Sequence, residues 1–302
     1  MSSSSSALTS LALSVGWQRV RDYVALTKPR LTALALLTTL VGFLMGSFHS
    51  FDGLRLLYTL MGAALVGGGA NALNQWWERE ADALMPRTQS RPLPAGRLLP
   101  IEALVFGLVA SGVGVLMLGM FVNPLVSLLA LITLGVYVLL YTPLKRRTCL
   151  CTLIGAIPGA IPPMIGWAAA RGHLSLEAWI LFAILFFWQL PHFLAIAWLY
   201  RDEYARAGFQ MLPVVEPDGA STARQMMVYS LALFPTTLLP AVLGVAGWVY
   251  VVGAVVVDGW FLSTVILMAR GRSAALASRV FLSSVAYLPI LLCLMVVDKA
   301  PL

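Results

Sequence analysis

The sequence predicts an all-α membrane protein that crosses the bilayer nine times. Three observations carry this reading: scarce charge, long charge-free runs, and basic residues gathered on one side. Of 302 residues, 60% are hydrophobic and only 11% are Asp, Glu, Lys or Arg. The mean hydropathy is +0.86. A soluble domain carries about 25% charged residues, so this supply cannot cover a water-exposed surface. A soluble enzyme is excluded. Disorder and fibrous repeats are excluded by the low charge and the excess of Leu, Val, Ile and Ala.

A spanning helix needs about 20 apolar residues, and the charge-free runs provide them in order. Leu31 to Phe51 and Leu56 to Trp77 are the first two. Ala103 to Leu144 is long enough for two helices, with the turn at Asn123-Pro124. Thr148 to Ala170 and Ala178 to Tyr200 are single spans. Gln225 to Ala269 makes two more around a Gly-rich break at Gly244 to Gly247, and Val280 to Val297 is the ninth. Pro158, Pro162 and Pro163 are expected to break the fifth span, which is tolerated where a helix lines a cavity. Asp258 is the one charge inside the eighth span.

With the N-terminus inside, 17 of the 20 basic residues fall on the inner side, leaving Arg55, Arg171 and Lys299 outside. This is a strong positive-inside pattern. It predicts N-in, C-out, and it makes the net charge of +7 a topology signal rather than a nucleic-acid footprint. The lipid bilayer is the surrounding partner. The Ser-rich residues 1–20 read as a disordered extension, with neither a signal peptide's charged start nor its cleavage site. Residues 21–302 read as one membrane domain. Cys149 and Cys151 read as small apolar residues rather than a metal or redox pair, having no further Cys or His beside them.

The acids collect in two stretches, both on the inner side. The first runs from Asn71 through Asn74, Glu78 and Asp82 to Arg87 and Arg91; the second is Tyr200-Arg201-Asp202-Glu203-Tyr204. On a helix, Asn71, Asn74, Glu78 and Asp82 share an arc of roughly 80°. The Asn pair lies at membrane depth, where uncompensated polar groups are costly. Such a face can glue helices together, or it can serve chemistry. Carboxylate and amide oxygens suit Mg²⁺, which bridges to phosphate oxygens, and Arg and Lys neutralise phosphate charge. The pattern suits a diphosphate leaving group held through metal, so no nucleophilic Ser or Cys is required.

These residues also resemble a known family. Asn71-x-x-Asn74-x-x-x-Glu78-x-x-x-Asp82-x-x-Met85-x-Arg87-Thr88-x-x-Arg91-Pro92-Leu93 resembles the first signature of the protoheme IX farnesyltransferase (heme O synthase) family, within the UbiA superfamily of intramembrane prenyltransferases. The resemblance continues in Lys28-Pro29-Arg30, Tyr141-Thr142-x-x-Lys145-Arg146-x-Thr148, and Gly159-Ala160-x-Pro162-Pro163-x-x-Gly166-Trp167. It ends in Trp188-Gln189-x-Pro191-His192-Phe193 and in Asp202-Glu203-Tyr204 with Met211-Leu212-Pro213-Val214. It spans roughly residues 21 to 297. Two positions depart from the family pattern: Cys151 stands where an Asn is usual, and Glu203 where the second motif often has Asp.

The resemblance implies a nine-helix UbiA-type bundle. It implies that farnesyl diphosphate, bound through Mg²⁺, ionises and alkylates a vinyl group of heme b, a substrate rather than a cofactor. Water captures the resulting cation and gives heme O for heme-copper oxidase biogenesis, with heme A synthase or a terminal oxidase assembly downstream. It places the site in a bacterial inner membrane, facing the cytoplasm. It assigns Asn71, Asn74, Glu78, Asp82, Asp202 and Glu203 to catalysis, all but Asn71 as Mg²⁺ ligands. Arg87, Arg91, Lys145, Arg146 and Tyr200 are expected to hold diphosphate or heme propionates, although positive-inside anchoring also explains the basic ones. His192 and Trp188 are candidate heme contacts. The simpler alternative for His192 is an interhelical hydrogen bond beside Pro191, and for Trp76, Trp77, Trp188 and Tyr200 an interfacial aromatic belt. Prenylation of an aromatic quinone precursor and membrane transport are the competing functions, and transport fits poorly with acids confined to one side.

Overall fold

A computed structural model describes residues 16–48 and 51–300, which are helical almost throughout. Helix α1 covers residues 16–26. It is followed by α2 (Pro29–Gly46), α3 (Gly53–Ala83), α4 (Pro100–Phe121) and α5 (Pro124–Gly135). A π-helical stretch, Val136–Tyr141, leads to the short α6 (Thr142–Leu144). Then come α7 (Cys151–Ala160), α8 (Pro162–Arg171), α9 (Leu176–Leu199), α10 (Arg201–Arg206) and α11 (Leu212–Val215). Three long helices complete the chain: α12 (Ala220–Val242), α13 (Trp248–Gly271) and α14 (Ala274–Val297). Among the described residues, nine helices are long and apolar enough to cross a membrane. They coincide with the nine charge-free runs, the fourth extending from Pro124 to Leu144 and the fifth being α7 with α8.

The helix ends follow from local chemistry. Pro124 opens α5, and the Asn123 side chain accepts a hydrogen bond from Val126 N at 2.9 Å. Both are favoured at a helix start. The expected break of the fifth span falls at Ile161, between Ala160 and Pro162. Gln189 of α9 donates to Ala156 O at 2.6 Å, covering main chain beside the break. Such cover is what irregular backbone at membrane depth needs.

The N-terminal boundary requires a correction. Residues 1–15 lie outside the described residues, but 16–20 form the first turns of α1 instead of belonging to an extension. Trp17, Val20 and Val24 share an exposed apolar face. On the opposite side, Asp22 is buried and ion-paired with Arg97 at 2.9 Å, and Arg19 pairs with Glu102. The segment is amphipathic and short, so it carries no run of apolar residues that would have announced it.

Two close helix pairs frame the site. A Cβ on Gly69 of α3 would stand 2.7 Å from Gly107 O of α4, and one on Gly114 of α4 would stand 2.8 Å from Gly62 O of α3. The two backbones touch along this seam, as small residues allow within a membrane. On α8, a Cβ at Gly166 would stand 2.6 Å from Phe43 N of α2. Helices α12, α13 and α14 pack with α9 around Tyr250, Phe261 and Tyr287, and this core is continuous with α2 and α8 through Val41, Met45 and Trp167. Asp258 belongs to this core. Its carboxylate is hydrogen-bonded to Thr237 Oγ1 at 2.5 Å and to the Tyr287 hydroxyl, and Tyr250 donates to Thr237 O at 2.6 Å. Asp258 therefore ties three helices together away from the acidic clusters.

Candidate active site

Helix α3 delivers the first acidic cluster. Asn71, Asn74, Glu78 and Asp82 are all buried, on the single face that the helical spacing predicts. Each has a partner from another element. Asn71 Nδ2 donates to Thr27 O and Thr32 Oγ1, both at 3.2 Å. Asn74 Oδ1 accepts from Lys28 Nζ at 2.8 Å, and its Nδ2 donates to Thr142 Oγ1 at 3.1 Å. Lys145 Nζ lies 2.7 Å from Glu78 Oε1. Arg91 donates to Asp82 Oδ2 at 2.6 Å. Cations thus stand against carboxylates around one point, with Asn between them.

The π-helical stretch explains how α5 reaches this face. Widening the helix at Val136–Tyr141 turns the Tyr137 and Tyr141 rings side by side, 5.5 Å apart. Thr142 Oγ1 donates to Tyr137 O at 2.8 Å. Just beyond, Lys145 Nζ lies 4.5 Å from the centre of the Tyr141 ring. Such π-turns recur at functional sites because they re-aim side chains without ending the helix.

Lys28 is the residue that sequence reasoning left outside the site. It occupies the left-handed region at φ 47°, where a side chain other than Gly is uncommon. Pro29 follows it and disfavours the ordinary helical conformation. This turn aims the ammonium at Asn74. Burial lowers the Lys28 pKa from 10.5 to about 7, Arg91 and Lys145 adding to the effect and Glu78 and Asp82 opposing it. Burial acts on Lys145 in the same direction, but the Glu78 carboxylate, with Tyr141 and Tyr137 beside it, outweighs burial and holds that pKa well above its ordinary value. The only hint of Lys28 in the sequence was its place in the Lys28-Pro29-Arg30 motif.

The second acidic cluster sits on α10, across from the first. Arg87 joins them: its main-chain N–H donates to Glu203 Oε2 at 3.4 Å and its Nη2 to the Tyr204 hydroxyl at 3.3 Å. Its guanidinium lies 4.6 Å from the centre of the Tyr200 ring. Asp202 is 90% exposed, with Arg201 at 3.8 Å as its ion-pair partner. Arg146 is exposed as well, and among the described residues its side chain makes no ion pair or hydrogen bond. The structure therefore gathers Asn71, Asn74, Glu78, Asp82, Arg91 and Lys145, links Glu203 and Tyr200 to them through Arg87, and leaves Asp202 and Arg146 at the rim.

An apolar cavity of about 280 Å³ reaches this face at Asn71. Tyr137 and Tyr141 line it beside Asn71, and Trp188, His192 and Phe193 of α9 line another part of its wall. His192 Nδ1 lies 2.7 Å from Ser284 Oγ, and its ring stacks on Trp188 with centres 5.3 Å apart. It thus makes the interhelical hydrogen bond and faces the cavity too. Trp76 and Trp77 do not line the cavity; Trp77 is exposed, as an interfacial belt requires. Cys151 is buried with its Sγ 3.8 Å from Met211 Sδ.

The pattern of the UbiA prenyltransferase family matches residues 35–285. A protoheme IX farnesyltransferase of Solibacter usitatus is 50% identical over 93% of this chain and 99% of its own length. The chain belongs to the UbiA prenyltransferase family. A second protoheme IX farnesyltransferase, from Salinibacter ruber, is 46% identical over 92% of this UbiA prenyltransferase and 98% of its own chain. Solved structures agree on the fold. A digeranylgeranylglyceryl phosphate synthase superposes with a TM-score of 0.79 at 19% identity, covering 93% of this chain and 98% of its own. A UbiA homologue from Archaeoglobus fulgidus bound to GPP and Mg²⁺ superposes with a TM-score of 0.65 at 13% identity, over 91% and 99%.

The site of this UbiA prenyltransferase suits a divalent cation with hard ligands. Among the described residues, no three His, Cys, Asp or Glu side chains converge on one point, so a ligand set must include amides and acids from both clusters. One buried atom suits such a role. Glu78 Oε1 has Lys145 Nζ at 2.7 Å as its ion-pair partner and no other polar partner among the described residues, so lone-pair capacity remains on a buried carboxylate for a cation to use.

Proposed function

We propose that this chain transfers the farnesyl group of farnesyl diphosphate to a vinyl group of heme b, with addition of water, to give heme O. The observation that carries the proposal is an apolar cavity that runs between Asn71, on the acidic face of α3, and His192. The charged side chains that follow Asn71 on that face suit a diphosphate and heme propionates, and the apolar walls suit an isoprenoid and a macrocycle. The acceptor is supported by the names of relatives that match nearly the whole chain.

Lys28, Lys145 and Arg91 stand where they can neutralise the diphosphate, and Arg87 can close on it from the second cluster. Asn74, Glu78, Asp82, Asp202 and Glu203 are the residues we assign to Mg²⁺; the Archaeoglobus homologue solved with GPP and Mg²⁺ supports use of a divalent cation. When bound, the ion supplies the positive charge that makes diphosphate a better leaving group. Asn71 holds Thr27 and Thr32 at the junction, fixing the boundary between the charged end and the isoprenoid end. The Tyr137 and Tyr141 rings line that boundary, where an aromatic face favours positive charge developing at the allylic carbon. The vinyl group attacks that carbon, and the porphyrin-stabilised cation then takes up water. The cavity walls keep bulk water from capturing the farnesyl cation first.

The orientation is N-in, C-out in a bacterial inner membrane. This places both acidic clusters on the cytoplasmic side, where farnesyl diphosphate is water-accessible, and leaves hand-off to a heme A synthase or oxidase assembly within the bilayer. The test is direct. Purified protein is given heme b, farnesyl diphosphate and Mg²⁺, and the extracted hemes are weighed. A product heavier by one farnesyl group and one hydroxyl, the second proton of the water being released, is expected, lost with EDTA and in Asp82→Ala. Unchanged heme with consumption of farnesyl diphosphate by an aromatic acid would instead establish the quinone-precursor reaction.

A further inference from the structure

Ser284 of α14 makes three contacts that together fix one face of the cavity. Its main-chain carbonyl accepts from Trp188 Nε1 at 2.9 Å. Its hydroxyl donates to Phe281 O at 2.6 Å. The same oxygen lies 2.7 Å from His192 Nδ1. A serine hydroxyl has one proton, and Phe281 O is within reach to accept it. With the proton there, the oxygen accepts toward His192, which puts a hydrogen on Nδ1 and the lone pair on Nε2. Among the described residues the His192 side chain makes no other hydrogen bond. The ring cannot readily swing away, because Trp188 stacks on it and Phe281 lies 5.2 Å from its centre. Ser284 itself is fully buried.

We propose that Ser284 is a positioning residue that holds His192 as the Nδ1–H tautomer, so that Nε2 meets the iron of the porphyrin acceptor. The inference rests on the heme reading above. Histidines that bind a metal through one nitrogen almost always donate the other N–H to a fixed acceptor, and losing that acceptor weakens metal binding roughly ten- to hundredfold. Ser284 supplies such an acceptor on a different helix from His192, so iron binding would tie α9 to α14.

The experiment is a titration of the purified full-length protein with ferric protoporphyrin IX and, in parallel, with metal-free protoporphyrin IX. Affinity and the visible and electron paramagnetic resonance spectra are recorded for the wild type, Ser284→Ala, Ser284→Thr and His192→Gln. The wild type is expected to give a histidine-ligated iron spectrum, which His192→Gln loses. Ser284→Ala is expected to bind ferric protoporphyrin roughly ten- to hundredfold more weakly, with Ser284→Thr restoring it and metal-free porphyrin binding unchanged. Equal weakening of both porphyrins in Ser284→Ala would make Ser284 merely structural and overturn the proposal. So would an unaltered iron spectrum in His192→Gln while heme O is still produced, and in that case the heme reaction stands. A wild type that neither binds ferric protoporphyrin nor farnesylates it removes both.

Discussion

The Glu78–Lys145 pair offers the sharpest separation of stability from chemistry. The two side chains are 7% and 12% exposed and their charged atoms 2.7 Å apart. Replacing Lys145 by Met leaves a carboxylate buried beside Asn74 and Asp82, and removing one partner of a buried pair costs about 3–5 kcal/mol. Replacing both, as Glu78→Gln with Lys145→Met, removes the uncompensated charge along with the pair. Most of the lost stability should return, since a buried pair and a neutral substitute of similar size are often equivalent. Activity should not return, because the double variant lacks both a proposed ligand and a proposed diphosphate contact. The assay is thermal unfolding in one detergent alongside heme O formation under saturating farnesyl diphosphate. A double variant as unstable as Lys145→Met would show that the pair is not what the site's charges balance on. A double variant with near-normal turnover would refute the placement of both residues in the reaction.

Three further outcomes follow from the geometry. Below about pH 7, where Lys28 is mostly protonated, Lys28→Met removes a charged donor that the left-handed turn aims at Asn74 and that we place against the diphosphate. Such hydrogen bonds contribute about 1.5–3 kcal/mol, so KM for farnesyl diphosphate should rise roughly ten- to hundredfold in steady-state kinetics, with KM for heme little changed. Asp202→Ala should leave the unfolding temperature within error, because the side chain is 90% exposed and such substitutions usually fall within about 0.5 kcal/mol; a titration of activity with Mg²⁺ should show a higher requirement. Gly166→Ala should fail structurally: its Cβ would stand 2.6 Å from Phe43 N and closer still to Thr39 O, both rigid backbone of α2, and overpacking of this kind costs about 1–3 kcal/mol or more. Size-exclusion profiles should show loss of the folded monodisperse species before any change in the kinetics of what remains.

The spans were legible because charge is nearly forbidden inside a bilayer, so a run without it is a direct measurement of length. The acidic face of α3 was legible because Asn71, Asn74, Glu78 and Asp82 repeat at helical spacing. What stayed hidden has two physical causes. Some features depend on backbone conformations with no compositional mark: the left-handed turn at Lys28 and the π-helical stretch before Thr142 both aim site residues, yet neither adds an unusual residue. Others depend on partners far away in the chain. Asp258 could not be read until Thr237 and Tyr287 were seen to surround it, and His192 could not be assigned a tautomer without Ser284. The second acidic motif shows the converse. Asp202 and Glu203 look equivalent in the sequence, but only Glu203 meets the Arg87 main chain, because successive residues on a helix point about 100° apart.

The seam between α3 and α4 has a consequence for how the protein meets its bilayer. Helix α3 has 31 residues, but its charge-free run, Leu56 to Trp77, is about 33 Å at the usual rise per residue and matches a hydrocarbon core of about 30 Å. The turns that follow carry Glu78 and Asp82 beyond the apolar run. Helix α3 cannot tilt alone, since its backbone meets α4 along a seam of glycines. The two lean as one rod, and the carboxylates near the inner end of α3 move with it as a fixed set.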